Sequence, residues 1–201
     1  MINIFISKVI QEIPCNKMDM LRYYFNGTVI DKIDKAPHHS YRLKRVTSRL
    51  MLIQVFKQLG IHPKKLKEIY YNKYGKLMVD DMGCNISLSY STDIAVCLTS
   101  NHRVGMDVED TRVQPKAHCT DLLEKLTKRS IHNKMDFYTL WTQIESIVKL
   151  YDNKGLSDIF FGNLLSEKHY TKQCFFNQEY LISTSSINQL DYLTHIKLLN
   201  I

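Results

Sequence analysis

The chain has 201 residues, 44% hydrophobic and 23% charged, which is typical of folded proteins rather than disordered ones. No apolar run reaches the roughly 18 residues of a membrane span, and no basic region precedes an apolar run at the N-terminus, so we expect no membrane insertion, no signal peptide and a cytoplasmic location. A formal charge of +7 favours polyanionic partners: nucleic acid, phosphorylated small molecules or acidic proteins. The five cysteines are widely spaced without Cys-x-x-Cys, which argues against a disulfide framework or a zinc site.

The first half of the chain predicts one strand, a short helix and then a long helix. Residues 2–6 alternate like a strand, and residues 17–25 predict a helix that ends at the turn Asn26-Gly27. A polar loop with His38 and His39 follows, and we interpret this histidine pair as exposed rather than metal-binding. A helix over 40–59 then buries apolar residues at helical spacing, namely Leu43, Val46, Leu50 and Ile53.

Three arginines lie on another face of that helix. Arg42, Arg45 and Arg49 follow the spacing i, i+3 and i+7, so their guanidinium groups can converge. Such a row is commonly a solvated surface. Its other use is to bind phosphate, for which the planar guanidinium is well suited.

The rest of the chain predicts strands around another long helix. Strands are expected over 85–90, 94–99 and 104–109, and a helix over 121–128. A second long helix begins with Asp136 as its N-cap, and its apolar stripe comprises Phe137, Leu140, Trp141, Ile144, Ile147, Val148 and Tyr151. Further strands are predicted over 158–161, 173–176 and 179–184, and residues 195–201 form another strand or a packed tail.

Acidic residues mark two of these elements. In a strand, Asp107 and Glu109 share one face with Cα atoms roughly 7 Å apart, close enough to hold one Mg²⁺ through oxygen. The alternative is the solvent-facing side of an edge strand. On the helix, Glu145 and Lys149 are neighbours at i, i+4, where the simplest interpretation is a surface ion pair of roughly 0.3–0.5 kcal/mol.

Four motifs in order resemble those of the 4′-phosphopantetheinyl transferases of the Sfp type. Tyr74-Gly75-Lys76 resembles the "GKP" element with Leu77 for proline, and residues 87–91 resemble "S-x-S-H-S" with Tyr90 for histidine. Residues 105–109 fit "G-(I/V)-D-(I/V/L)-E". Residues 141–149 fit "W-x-x-K-E-(A/S)-x-x-K" with Ile144 for lysine, and Gly155-Leu156 match the "G-L" that follows.

This resemblance implies an α+β fold of two α/β halves related by a pseudo-twofold axis, residues 1–101 and 102–201, with coenzyme A between them. It implies transfer of the phosphopantetheine arm of coenzyme A to a serine of an acidic apo acyl or peptidyl carrier protein, with release of 3′,5′-ADP. We expect a monomer with no nucleic-acid partner. The implied roles are Mg²⁺ binding by Asp107, Glu109 and Glu145, catalysis by Glu145 and Lys149, and coenzyme A binding at the positions of Lys76, Ser89 and Tyr90. The geometry of the helix over 40–59 adds Arg42 and Arg45 as further coenzyme A contacts.

Two departures from the motifs leave an alternative open. Tyr90 can donate one hydrogen bond to a phosphate but brings no positive charge near neutral pH. Ile144 falls in the buried stripe by its helical phase and should pack rather than contact a ligand. The alternative is therefore a catalytically weak homologue that binds coenzyme A or a carrier protein.

Overall fold

The computed structural model describes residues 2–79, 83–152, 154–156, 158, 168–189 and 194–201, and it shows a mixed fold of helices and several sheets. The helices are α1 (Cys15–Tyr24), α2 (Gly27–Asp34), α3 (His39–Gln58), a 3₁₀ helix (Pro63–Glu68), α4 (Ala117–Thr127) and α5 (Lys134–Leu150). The strands are β1 (Ile2–Lys8), β2 (Tyr70–Tyr71), β3 (Leu77–Met78), β4 (Asn85–Tyr90), β5 (Ile94–Ser100), β6 (Val104–Asp110), β7 (Tyr170–Phe176), β8 (Tyr180–Ser186) and β9 (Thr194–Leu198). None of the helices in the described ranges combines the length and hydropathy needed to cross a membrane.

The chain folds into two compact units. The first unit comprises Met1–Asn101 and Asp191–Ile201, and the second comprises His102–Leu190. The C-terminal strand β9 falls in the first unit because it pairs parallel with β1, with Ile196 opposite Ile4. The expected pseudo-twofold relation between two halves stays a prediction.

The first unit is a four-stranded sheet of order β4-β5-β1-β9, packed on α3. The predicted stripe of α3 is confirmed, because Leu43, Val46, Leu50 and Ile53 are all buried. The predicted Asn26-Gly27 turn is instead the start of α2, since the Asn26 side chain accepts a hydrogen bond from the Val29 amide at 3.1 Å and so caps a new helix. The polar loop with His38 and His39 therefore begins only after Asp34.

The second unit is a three-stranded antiparallel sheet of order β6-β8-β7, with α5 lying against it. In the register of β6 and β8, Gly105 lies opposite Ser185 and Asp107 opposite Ser183. The predicted N-cap of α5 is wrong: Asn133 caps the helix by accepting from the Asp136 amide at 3.0 Å.

Asp136 lies instead in the first turn of α5, where a carboxylate favours the helix dipole. The helix predicted over 121–128 begins earlier, at Ala117. Of the strand predicted over 158–161, all but residue 158 lies outside the described residues.

Candidate functional site

One face of β6 lies directly against the backbone of α5. A Cβ atom built at Gly105 would lie 2.0 Å from the Ser146 carbonyl oxygen and 2.3 Å from the Leu150 amide nitrogen. Because alternate strand residues share a face, Asp107 and Glu109 also face the helix. Asp107 is only 4% exposed, which excludes a solvent-facing role for this carboxylate.

A charged pair joins α5 to this face. The Lys149 ammonium donates to Asp107 Oδ1 at 2.6 Å, and the two side chains are 25% and 6% exposed. Long side chains on a helix lean toward its N-terminus, so Lys149 can reach back from the level of Gly105 to Asp107. The close partner of Lys149 is therefore a strand carboxylate, and the pair is largely buried rather than a surface contact.

Lys149 keeps its charge despite burial. Burial by itself lowers the pKa of this ammonium, but the negative charges of Asp107 and Glu145, the hydrogen bond to Asp107 and the more distant Glu109 outweigh it, so the pKa is raised above its ordinary value. Lys149 is thus a fixed positive charge near neutral pH. Such a charge can stabilise negative charge that develops on a bound phosphate.

Glu145 lies one helical turn before Lys149 and is partly buried. Burial raises its pKa, the nearby Lys149 lowers it and Asp107 raises it again, so that the net shift is upward. A carboxyl group whose pKa moves toward neutrality is better matched to accepting and returning a proton near neutral pH. The structure thus brings the two predicted catalytic residues, Glu145 and Lys149, into the electrostatic field of Asp107.

The predicted metal ligands Asp107, Glu109 and Glu145 lie on β6 and α5. Within the described ranges, no group of three or more His, Cys, Asp and Glu side chains is arranged to hold a metal ion. The chemistry of the donors nevertheless suits Mg²⁺, which takes oxygen ligands and completes its shell with one or two carboxylates, substrate phosphate and water. The assignment of Asp107, Glu109 and Glu145 to Mg²⁺ stays a prediction.

A cluster of cations lies in the first unit, around the ring of Tyr71. Arg49 is 5% exposed in the middle of α3, where it donates to Ser48 Oγ at 2.7 Å and to the Tyr71 hydroxyl. The Lys32 ammonium lies 3.7 Å from the centroid of the Tyr71 ring, and Arg45 donates to the Lys32 carbonyl. Lys32 and Arg49 therefore meet at one tyrosine, and Arg45 lies beside Lys32.

This cluster has a strongly positive field. Burial lowers the pKa of Lys32, and the neighbouring charges of Arg45 and Arg49 lower it further. In the part of the chain that the structure describes, no acidic side chain forms an ion pair with any of the three. Cations held together in this way favour an anionic ligand.

Two of the other predicted coenzyme A contacts are Arg42 on α3 and Lys76 in the turn before β3. Arg42 is in an exposed ion pair with Asp34 at 3.1 Å. Lys76 lies in the turn after Gly75, and a Cβ at Gly75 would be 3.8 Å from the Lys32 ammonium. Of the predicted row of arginines, the structure thus brings Arg45 and Arg49 to the cluster and pairs Arg42 with an acidic side chain.

Ser89 and Tyr90 are consecutive in β4 and so point to opposite faces of the sheet. Ser89 is buried, whereas the Tyr90 ring contacts Tyr41 edge-to-face at 6.5 Å. The Lys44 ammonium lies 5.9 Å from the centroid of the Tyr90 ring. Lys44 therefore brings a positive charge near Tyr90, which sequence reasoning did not anticipate.

Ile144 packs as its helical phase predicts. It is 1% exposed and belongs to the apolar core of the second unit together with Phe137, Ile147 and Leu181. The prediction for Ile144 is confirmed, and this position contributes to the core of the unit.

Comparison with known proteins supports a relation to phosphopantetheinyl transferases. The 4′-phosphopantetheinyl transferase gsp of Aneurinibacillus migulanus is 29% identical over 113 residues, which cover 53% of this chain and 46% of that protein. The chain thus spans about half the length of the curated relative it matches. No protein-family model matches the chain.

Proposed function

We propose that the protein transfers the 4′-phosphopantetheine arm of coenzyme A to a serine of an acidic apo carrier protein and releases 3′,5′-ADP. The observation that carries this proposal is the buried Lys149–Asp107 pair with Glu145 beside it, on the two elements that bear the family motifs. The similarity to a phosphopantetheinyl transferase supports the same reaction.

In the proposed reaction, the serine oxygen forms a bond to the phosphorus next to the pantetheine arm, and the bond from that phosphorus to the oxygen of 3′,5′-ADP breaks. Glu145 accepts the serine proton, directly or through a water. Lys149 stabilises the negative charge on the leaving phosphate. A bound Mg²⁺, held by Asp107, Glu109 and Glu145, would supply charge neutralisation to the pyrophosphate.

The cation cluster of the first unit would bind a phosphate of coenzyme A. Lys32, Arg45 and Arg49 supply three positive charges at one place, and two of them are guanidinium groups that can bind phosphate through paired hydrogen bonds. Lys76, Ser89, Tyr90 and Arg42 stay predicted contacts to the same substrate. The positive net charge of +7 would attract an acidic carrier, and added salt should weaken that attraction.

The alternative proposal is a weak homologue that binds coenzyme A without efficient transfer. The observation that favours it is Tyr90, whose phenol carries no positive charge near neutral pH.

The test is to incubate the protein with coenzyme A, Mg²⁺ and several apo carrier proteins and to weigh the carriers by mass spectrometry. We expect the wild type to add one phosphopantetheine group and Glu145→Gln to add none while it still binds coenzyme A. Glu68→Gln, in an exposed ion pair with Lys65, serves as the control. A fully active Glu145→Gln enzyme would refute the role of Glu145, and a wild type that binds coenzyme A without modifying any carrier would favour the alternative.

A further inference from the structure

Two rows of hydrogen-bonded polar side chains, with buried hydroxyl groups on α5 and β8, connect α5 to the sheet beneath it. Each row runs from β7 through β8 to the helix, and the helical members are four residues apart, so that they lie on one face of α5. The helical and β8 members are all buried, at 0% exposure. The rows are Gln173–Ser183–Thr142 and Thr171–Ser185–Ser146.

The first row has one consistent direction. Thr142 donates its single hydroxyl hydrogen to the Tyr138 carbonyl at 2.8 Å, so Ser183, 2.6 Å away, must donate to Thr142. The Gln173 amide nitrogen then donates to Ser183 at 2.7 Å. Every hydroxyl in the row thus has both a donor and an acceptor.

The second row repeats this order one turn further along the helix. Ser146 donates to the Gln143 carbonyl at 2.7 Å, so Ser185, also 2.7 Å away, donates to Ser146. Thr171 lies 2.8 Å from Ser185 and donates to it. Both rows therefore end on backbone carbonyls of α5.

The rows are in register with the charged site. Across the sheet, Ser183 lies opposite Asp107 and Ser185 lies opposite Gly105. On the helix, Glu145 comes one residue before Ser146 and Lys149 comes three residues after it. A slide of α5 along β8 would therefore break both rows and separate Lys149 from Asp107 at the same time.

We propose that Thr142, Ser146, Ser183 and Ser185 are positioning residues that fix α5 on β8 and so hold Glu145 and Lys149 against Asp107, an inference that rests on the proposed function. The hydrophobic effect is not directional, whereas a hydrogen bond is. A buried hydroxyl that loses its partner costs the desolvation of that group, so each row penalises displacement. The hydroxyl rows thus add a directional constraint to the apolar packing of α5.

The experiment exchanges the hydroxyl and the methyl group of Thr142 separately. Thr142→Val keeps the shape and removes the hydroxyl, whereas Thr142→Ser keeps the hydroxyl and removes a methyl group. We expect Thr142→Val to lower kcat by about tenfold or more with little change in KM for coenzyme A, and Thr142→Ser to stay within about twofold of the wild type. If Thr142 served only to fill space, Thr142→Ser would lower kcat more than Thr142→Val.

A second readout does not depend on transfer. Lys149 of the full chain would be labelled with an amine-reactive reagent and its modification rate measured by peptide mass spectrometry, with the exposed Lys128 as the internal reference. We expect Thr142→Val, but not Thr142→Ser, to raise the labelling rate of Lys149 several-fold, because the ammonium is less firmly held by Asp107.

Thr184→Val is the matched control, since Thr184 lies between the two serines of β8 but on the opposite face. Unchanged kcat and unchanged labelling in Thr142→Val would overturn the inference, as would equal effects in Thr184→Val. A wild type with no transferase activity would overturn the proposed function. In that case the labelling experiment would still decide whether the rows hold Lys149 in place.

Discussion

Gly105→Ala should damage the site without removing any functional group. At this position the backbones of β6 and α5 are in direct contact. An added Cβ would lie 2.0, 2.3 and 2.7 Å from backbone atoms of Ser146, Leu150 and Lys149, respectively. Since Cβ contacts under 3.0 Å essentially do not occur, the helix must move by about 1 Å relative to the strand.

That movement predicts losses in both stability and activity. Overpacking against rigid backbone commonly costs about 1–3 kcal/mol, and three simultaneous backbone contacts place Gly105→Ala at the upper end, about 3 kcal/mol. A 1 Å displacement of catalytic groups can cost about 100-fold in rate. We therefore expect kcat to fall about 100-fold in molecules that are still folded, because Glu145 and Lys149 move with α5.

Urea unfolding would measure the free energy of unfolding, and carrier modification followed by mass spectrometry would measure kcat at a temperature where the variant is folded. Gly27→Ala is the matched control, because a Cβ at Gly27 meets no atom within 4 Å. It should change the free energy of unfolding by less than about 1 kcal/mol and leave kcat unchanged. A Gly105→Ala protein as stable and as active as the wild type would refute the close contact and the argument built on it.

Two further substitutions test the two charged clusters. Arg49→Gln should weaken the binding of coenzyme A by about tenfold or more but leave dephospho-coenzyme A, which lacks the 3′-phosphate, nearly unaffected; equal loss for both ligands in calorimetry would argue against a contact to the 3′-phosphate. Lys149→Met leaves the buried Asp107 without this cation and should lower the free energy of unfolding at neutral pH by about 3 kcal/mol, and an unchanged value would contradict the pairing. Folding raises the pKa of Lys149, so its pairing with Asp107 contributes fully to the free energy of unfolding below the unfolded pKa of about 10.4. This contribution is lost as pH rises through the folded pKa. The wild type should therefore show this loss of stability at alkaline pH, and Lys149→Met should not.

The long elements of the fold could be predicted because their side chains follow a clear period. The stripe of α3 and the alternation of β4 and β6 were sufficient to place these elements to within about two residues. The first residue of a helix was harder to predict, because several nearby residues can serve as its N-cap. Asn133 and Asp136 are both good N-caps, and the choice depends on which side chain meets a free backbone amide in the folded chain.

The charged residues of β6 and α5 could be named from motifs, whereas the first-unit cluster and the hydroxyl rows could not. Lys32 and Tyr71 belong to separate short elements, and no local pattern indicates that they meet Arg49. The buried rows were also missed, because Thr142 and Ser146 are polar and lie outside the apolar stripe by which a buried helix face is normally recognised. A second buried face made of hydroxyl groups has no periodic signature in hydropathy.

The two charged clusters differ in what they require from solution. The face of β6 and α5 carries Asp107, Glu109 and Glu145 against one ammonium, so by itself it repels a pyrophosphate, and productive binding there should need a divalent cation. The first-unit cluster already carries three positive charges and should bind a phosphate without metal. Removing divalent cations with EDTA should therefore abolish carrier modification while 3′,5′-ADP still binds with an affinity reduced by less than about tenfold, as measured by calorimetry. Loss of both together would show that the first-unit cluster is not a metal-independent phosphate site, and transfer that persists in EDTA would contradict the role given to the three carboxylates.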